Sequence, residues 1–138
     1  MAIVVVDTSV LIDHLRGHEG AVACLGAAID RGDELWSIPV VRTEVLAGAR
    51  ASEMDATRAL LDSLRWLDVT VELADEAGAL AARYLRSHPG VDTVDHLIAA
   101  ATLRLDATLL TRNVRHFPVF EGLAPAYAWS MSVDSQEP

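Results

Sequence analysis

Four consecutive β-branched residues, Ile3-Val4-Val5-Val6, run directly into an aspartate, Asp7. As a strand this run has no polar face to turn toward water. It needs cover on both sides, the situation of an inner strand in a parallel sheet. That requirement selects an α/β domain, a mainly parallel sheet with helices on both faces.

The rest of the chain supplies those parts in alternation. Val10-Leu11-Ile12 begins a short helix that Thr8 or Ser9 can cap. A helix over residues 21–31 ends at the turn signal Gly32-Asp33, and Leu35-Trp36-Ser37-Ile38 reads as the second strand. Pro39 suits a first helical turn and opens a helix through Val45-Leu46-Ala47. Leu60, Leu61 and Leu64 are spaced as on a helix over residues 56–66, and residues 67–71 read as a third strand. Leu73, Ala77, Leu80, Ala81, Tyr84 and Leu85 mark one face of the next helix, with acids Glu72, Asp75 and Glu76 at its start and Arg83 and Arg86 near its end. That polarity complements the helix dipole. Pro89-Gly90 breaks the chain before a helix over residues 93–105. Thr108-Leu109-Leu110-Thr111 forms the fourth strand and Tyr127-Ala128-Trp129 a fifth. With 138 residues the chain fits one domain, taken as residues 1–133 with a polar tail at 134–138.

Composition narrows the function. Hydrophobic residues make up 51% and charged residues 22%, as in an ordered globular protein. The formal net charge of −9, taken alone, argues against a general nucleic-acid binder, which usually carries a basic surface. Any nucleic-acid chemistry then rests on a local site. A metal-binding carboxylate cluster or a basic protein partner would account for the acidity. The single cysteine, Cys24, makes no internal disulfide, reads as a small buried hydrophobe on a helix, and suits a reducing, cytoplasmic setting. No uncharged apolar run is long enough to span a membrane. The five histidines lack zinc-ligand spacing, and no glycine-rich phosphate loop or serine nucleophile elbow occurs. A haloacid-dehalogenase phosphatase would need a second aspartate two residues after Asp7, where Ser9 stands.

In doubly wound sheets, ligands bind beyond the carboxyl ends of the strands. Asp7 falls at one such end, and Arg112 and Asn113 at another. Asp7 reads either as a helix cap or as a cation ligand. Glu44 lies one turn or so into the helix opened by Pro39, between apolar neighbours, and reads as solvated or as a ligand. Asp95 is either a first-turn acid favouring the dipole or a third ligand, while capping explains Asp92 fully. Asn113 is a turn residue or a carbonyl donor to a metal or its water. Three carboxylates from separate elements form an oxygen-rich cage suited to Mg²⁺. Empty, such a cage is expected to raise the pKa values of its members through mutual repulsion.

Four segments, in order, carry a family resemblance: Val4-Val5-Val6-Asp7-Thr8-Ser9-Val10-Leu11-Ile12, Arg42-Thr43-Glu44-Val45-Leu46-Ala47-Gly48, Asp95-His96-Leu97-Ile98-Ala99-Ala100, and Leu110-Thr111-Arg112-Asn113-Val114-Arg115-His116-Phe117. Together they resemble the PIN-domain family, and length and motif style resemble its VapC toxins from type II toxin–antitoxin modules. The resemblance implies a three-layer α/β/α sandwich and an endoribonuclease dependent on Mg²⁺, with Mn²⁺ possible. It also implies a homodimer and a cognate VapB-type antitoxin. Asp7, Glu44 and Asp95 match the metal ligands, and Thr8 or Ser9 matches the hydroxyl supporting the first aspartate. Asn113 matches a fourth position that is aspartate in many members, which leaves open whether one metal or two is held. Arg112 and Arg115 are candidate contacts to the RNA backbone. Two alternatives stay open: a catalytically silent PIN module acting as a scaffold, and a housekeeping RNA-processing nuclease.

Overall fold

A computed structural model describes residues 1–128. Its centre is a four-stranded, wholly parallel sheet in the order β3-β2-β1-β4, formed by β1 (Ile3–Val6), β2 (Glu34–Ser37), β3 (Arg65–Trp66) and β4 (Thr108–Leu110). β1 is an inner strand, with Val4 beside Leu35 in one register and beside Thr108 in the other. Val5 and Val6 are 1% and 0% exposed, which is why an unbroken β-branched run suits this place. The helices are α1 (Thr8–Leu15), α2 (Glu19–Asp30), α3 (Pro39–Ala47), α4 (Met54–Asp62), α5 (Val71–Tyr84) and α6 (Thr93–Arg104). They complete the expected α/β/α sandwich around one core that joins Val4, Val5, Leu11, Leu25, Ile38, Leu61, Ile98 and Phe117.

Several local expectations shift. The cap of α1 is Asp7 itself rather than Thr8 or Ser9, because the helix starts directly at the end of β1 and the Asp7 carboxylate accepts the Thr8 N–H. α2 begins earlier than expected, at Glu19, because His18 Nδ1 accepts the N–H groups of Gly20 and Ala21. It ends where foreseen, at Gly32, whose φ of +80° is the left-handed turn glycine takes without strain. The third strand is Arg65–Trp66, upstream of the expected 67–71. Leu67 still donates to the Ser37 carbonyl, but Thr70 caps α5, and Val69 and Val71 are exposed, so the chain has already left the sheet. Tyr127 and Ala128 form no strand, and Trp129 and the polar tail lie outside the described residues. Leu61 and Leu64 belong to the core, 0% and 5% exposed. Cys24 is half-buried on α2. No helix among the described residues is long and apolar enough to cross a membrane.

Candidate active site

The site is built where β1 ends. Asp7 leaves the strand with its own N–H still bonded to the Leu110 carbonyl at 3.0 Å, so the β1–β4 ladder fixes its backbone. Its carboxylate then receives three donors. The Thr8 N–H reaches Oδ1 at 2.8 Å, while the hydroxyls of Ser9 and Thr111 reach Oδ2 at 3.0 and 2.7 Å. Burial raises the Asp7 carboxyl above its ordinary value, and the bonds from Thr111, Ser9 and Thr8 pull it back only in part.

Glu44 projects from the second turn of α3 into solvent, and its Oε1 accepts the Thr8 hydroxyl at 2.7 Å. The two candidate hydroxyls therefore divide their work: Ser9 supports Asp7, and Thr8 supports Glu44. Asp95 sits in the first turn of α6 within a reciprocal capping box. Its N–H donates to Asp92 Oδ1 at 2.9 Å, and its Oδ2 accepts the Asp92 N–H at 3.2 Å. Capping thus does account for Asp92, as read from the sequence, and occupies one oxygen of Asp95 as well. Burial pushes the Asp95 carboxyl up to about 6; the Asp92 and Asp7 charges add to the rise, while the Asp92 N–H and His116 oppose it. Desolvation, more than mutual repulsion, is the main cause for both aspartates.

One open cleft of about 230 Å³ is lined by Asp7, Thr8, Ser9, Glu44, Asp92, Asp95 and Asn113. That space admits several waters or a partly hydrated cation and a phosphate oxygen. All three expected acids and Asn113 therefore share one cavity at the carboxyl edge of the sheet. Among the described residues, however, no group of three or more His, Cys, Asp or Glu side chains stands close enough to hold a metal as placed. The donor chemistry still fits a hard cation, because Mg²⁺ keeps several waters and needs only one or two carboxylates directly.

Of the two candidate arginines, Arg115 is exposed. Arg112 instead turns its Nε to Asp13 Oδ2 at 3.0 Å. Three residues that the motifs alone did not single out shape the site. Thr111 is fully buried and holds both Asp7 and the Asn113 N–H, the latter at 3.0 Å. His116, on a short 3₁₀ turn (Val114–His116), brings Nδ1 to 3.3 Å from Asp95 Oδ2. Asp13 anchors Arg112. A hydroxyl residue directly before the Arg-Asn pair was the available signal for Thr111; for His116 and Asp13 no local pattern existed.

Comparison with known proteins agrees with this fold. The family model described as the PIN domain matches residues 4–122. Over 122 residues the chain is 47% identical to Ribonuclease VapC19 of Mycobacterium tuberculosis, covering 88% of this chain and 98% of that one. It is 42% identical over 126 residues to Ribonuclease VapC10 of the same organism, covering 91% and 93%. In fold it is similar to a toxin–antitoxin complex from Klebsiella pneumoniae, with a TM-score of 0.77 at 24% identity over 91% of this chain and 99% of that one.

Proposed function

The chain belongs to the PIN-domain family, and on that premise we propose that it is a divalent-metal-dependent endoribonuclease acting as the toxin of a toxin–antitoxin pair. The observation that carries the reading is the convergence of Asp7, Glu44, Asp95 and Asn113 on one cleft at the carboxyl edge of the sheet. A nuclease relative explains why two carboxylates are kept in a poorly hydrated place that raises both their pKa values. Asp7 and Asp95 are the residues that would hold Mg²⁺ or Mn²⁺, with Glu44 directly or through a water. A cation bound there supplies Lewis-acid polarisation of a phosphate and an acidified water.

The chain's own groups do the rest. Ser9 and Thr111 keep Asp7 Oδ2 aimed, and Thr8 tethers the exposed Glu44 carboxylate at the cleft. Asn113 orients a water at the cleft, and exposed Arg115 meets the RNA backbone. Incubating the purified protein with cellular RNA and Mg²⁺ or Mn²⁺, then sequencing the new ends, tests the reading. It expects 5′-phosphate and 3′-hydroxyl ends and no cutting in chelator. Cutting that persists in chelator, or 2′,3′-cyclic phosphate ends, contradicts it.

A basic antitoxin suits the net charge of −9. The groove between α1 and α3, lined by Ile12, Leu15, Val45 and Gly48, meets the cleft at Ile12 and can seat a partner helix that delivers a basic side chain to the acids. High salt should weaken that complex. Homodimerisation is proposed through the apolar face of α5 and α6, where Leu80 and half-exposed Leu103 border a groove; a monomer by light scattering, with activity intact, would remove it.

A further inference from the structure

Asp13 lies one helical turn beyond Ser9 on α1, behind the cleft rather than in its lining, and its side chain is only 6% exposed. Its Oδ2 accepts the Tyr127 hydroxyl at 2.5 Å and stands 3.0 Å from Arg112 Nε. Arg112 in turn stands between two residues of the site. Before it is Thr111, whose hydroxyl holds Asp7, and after it is Asn113, which lines the cleft. The Arg112 N–H points at Ser9 Oγ at 3.4 Å, and Ser9 donates to the same Asp7 oxygen as Thr111 does.

The later chain is fastened to this point twice. The Ala126 N–H donates to the Thr111 carbonyl at 2.8 Å, and the Tyr127 ring packs on His18 with centroids 5.1 Å apart. A side chain at position 20 would meet the Tyr127 ring at 3.0 Å, so Gly20 is what lets the ring lie against the start of α2. The Arg112 side chain of this pair is 34% exposed, and a partly solvated ion pair adds little net stability. Its placement, one bond from the site on either side, suits orientation better than stabilisation.

We propose that Asp13 is a positioning residue for the cleavage reaction. Through Arg112 it sets the Thr111–Asn113 turn against Asp7, and Tyr127 locks the link to the later chain. The proposal rests on the nuclease reading above.

The test pairs hydrogen exchange over residues 111–117 with kinetics on a fluorophore- and quencher-labelled single-stranded RNA of mixed sequence, with Mn²⁺ present. Asp13→Asn keeps the shape and an acceptor but drops the charge. It should speed exchange over 111–117 while β1 stays protected, and lower kcat about tenfold or more with KM nearly unchanged, since small misplacements of site groups cost rate. Arg112→Gln should match it, Arg112→Lys should recover part of the rate, and the double variant Asp13→Asn/Arg112→Gln should be no worse than either single. If Asp13→Asn does not fold, Tyr127→Phe, which keeps the ring and deletes one bond to Asp13, should show the same two changes more weakly. Wild-type kcat and exchange in the variant that folds, or additive losses in the double variant, overturn the proposal. A wild-type protein that cuts no RNA at all defeats the nuclease reading and the proposal with it; equal cutting by wild type and Asp13→Asn defeats the proposal alone.

Discussion

At the end of β1, Asp7 takes hydrogen bonds from residues 8, 9 and 111, whereas at the start of α6 Asp95 is held chiefly by its own first turn through Asp92. The two carboxylates share a cleft, burial raises both and both cap a helix, yet Asp7 is also held by Thr111 from across the chain while Asp95 rests chiefly on its cap. An acid anchored by tertiary contacts has its geometry set by distant residues. One anchored by a cap keeps its place even when the rest of the site changes. The two should therefore fail in different ways.

The largest effect is expected at Asp7. Asp7→Asn can keep the bond from Thr8, and the two hydroxyls can rotate to accept from its amide. It should match or exceed wild type in melting temperature without metal, while cleavage falls by at least about a hundredfold, the scale of losing one electrostatic stabiliser. Asp7→Ala should lose cleavage equally but also about 1–3 kcal/mol of stability, because three donors are left without their acceptor. Equal melting temperatures for Ala and Asn at this position would break the comparison.

Asp95→Asn should abolish cleavage as fully, and it sharpens the contrast through pH. The folded protein holds the Asp95 proton up to about 6, against an ordinary value of 3.8. The stability this provides is therefore complete below the unfolded value and is lost as pH rises through about 6. Melting curves of the metal-free protein across that window should decline more steeply for wild type than for Asp95→Asn, which keeps the raised Asp7. Curves of equal slope for the two proteins would show that Asp95 holds no raised proton affinity in the fold.

Thr111→Val removes a donor to Asp7 and the acceptor of the Asn113 N–H, with no change of shape. About 1–2 kcal/mol of stability should go, together with about a tenfold loss of rate, read from denaturant melts and initial cleavage rates. The smallest effect belongs to the local side: Asp92→Ala should cost about 1 kcal/mol through the lost cap and change cleavage only a few-fold.

What the sequence made legible follows the same division. β1 could be read because an unbroken β-branched run has one structural solution, and the α6 cap because Asp92 and Asp95 are three residues apart. Three acid-bearing segments and the one carrying Asn113, taken in order, pointed to the residues Asp7, Glu44, Asp95 and Asn113 that share the cleft. Contacts that span the chain could not be paired from local pattern: Thr111 to Asp7 closes 104 residues, and Tyr127 to Asp13 closes 114. The position of β3 was missed for a related reason, since Thr70 captures the segment as a helix cap before its apolar residues can join the sheet. The same limit applies to Asp7, whose roles as cap and as candidate ligand look like alternatives in the sequence but coexist at the junction of β1 and α1.

The account stands on these carboxylates forming a cation site, and calorimetric titration of Mn²⁺ into purified protein near neutral pH tests that most directly. Wild type should give a saturable binding event that is absent from both Asp7→Asn and Asp95→Asn, with all three proteins folded by circular dichroism. Binding to Asp7→Asn at wild-type affinity would contradict it.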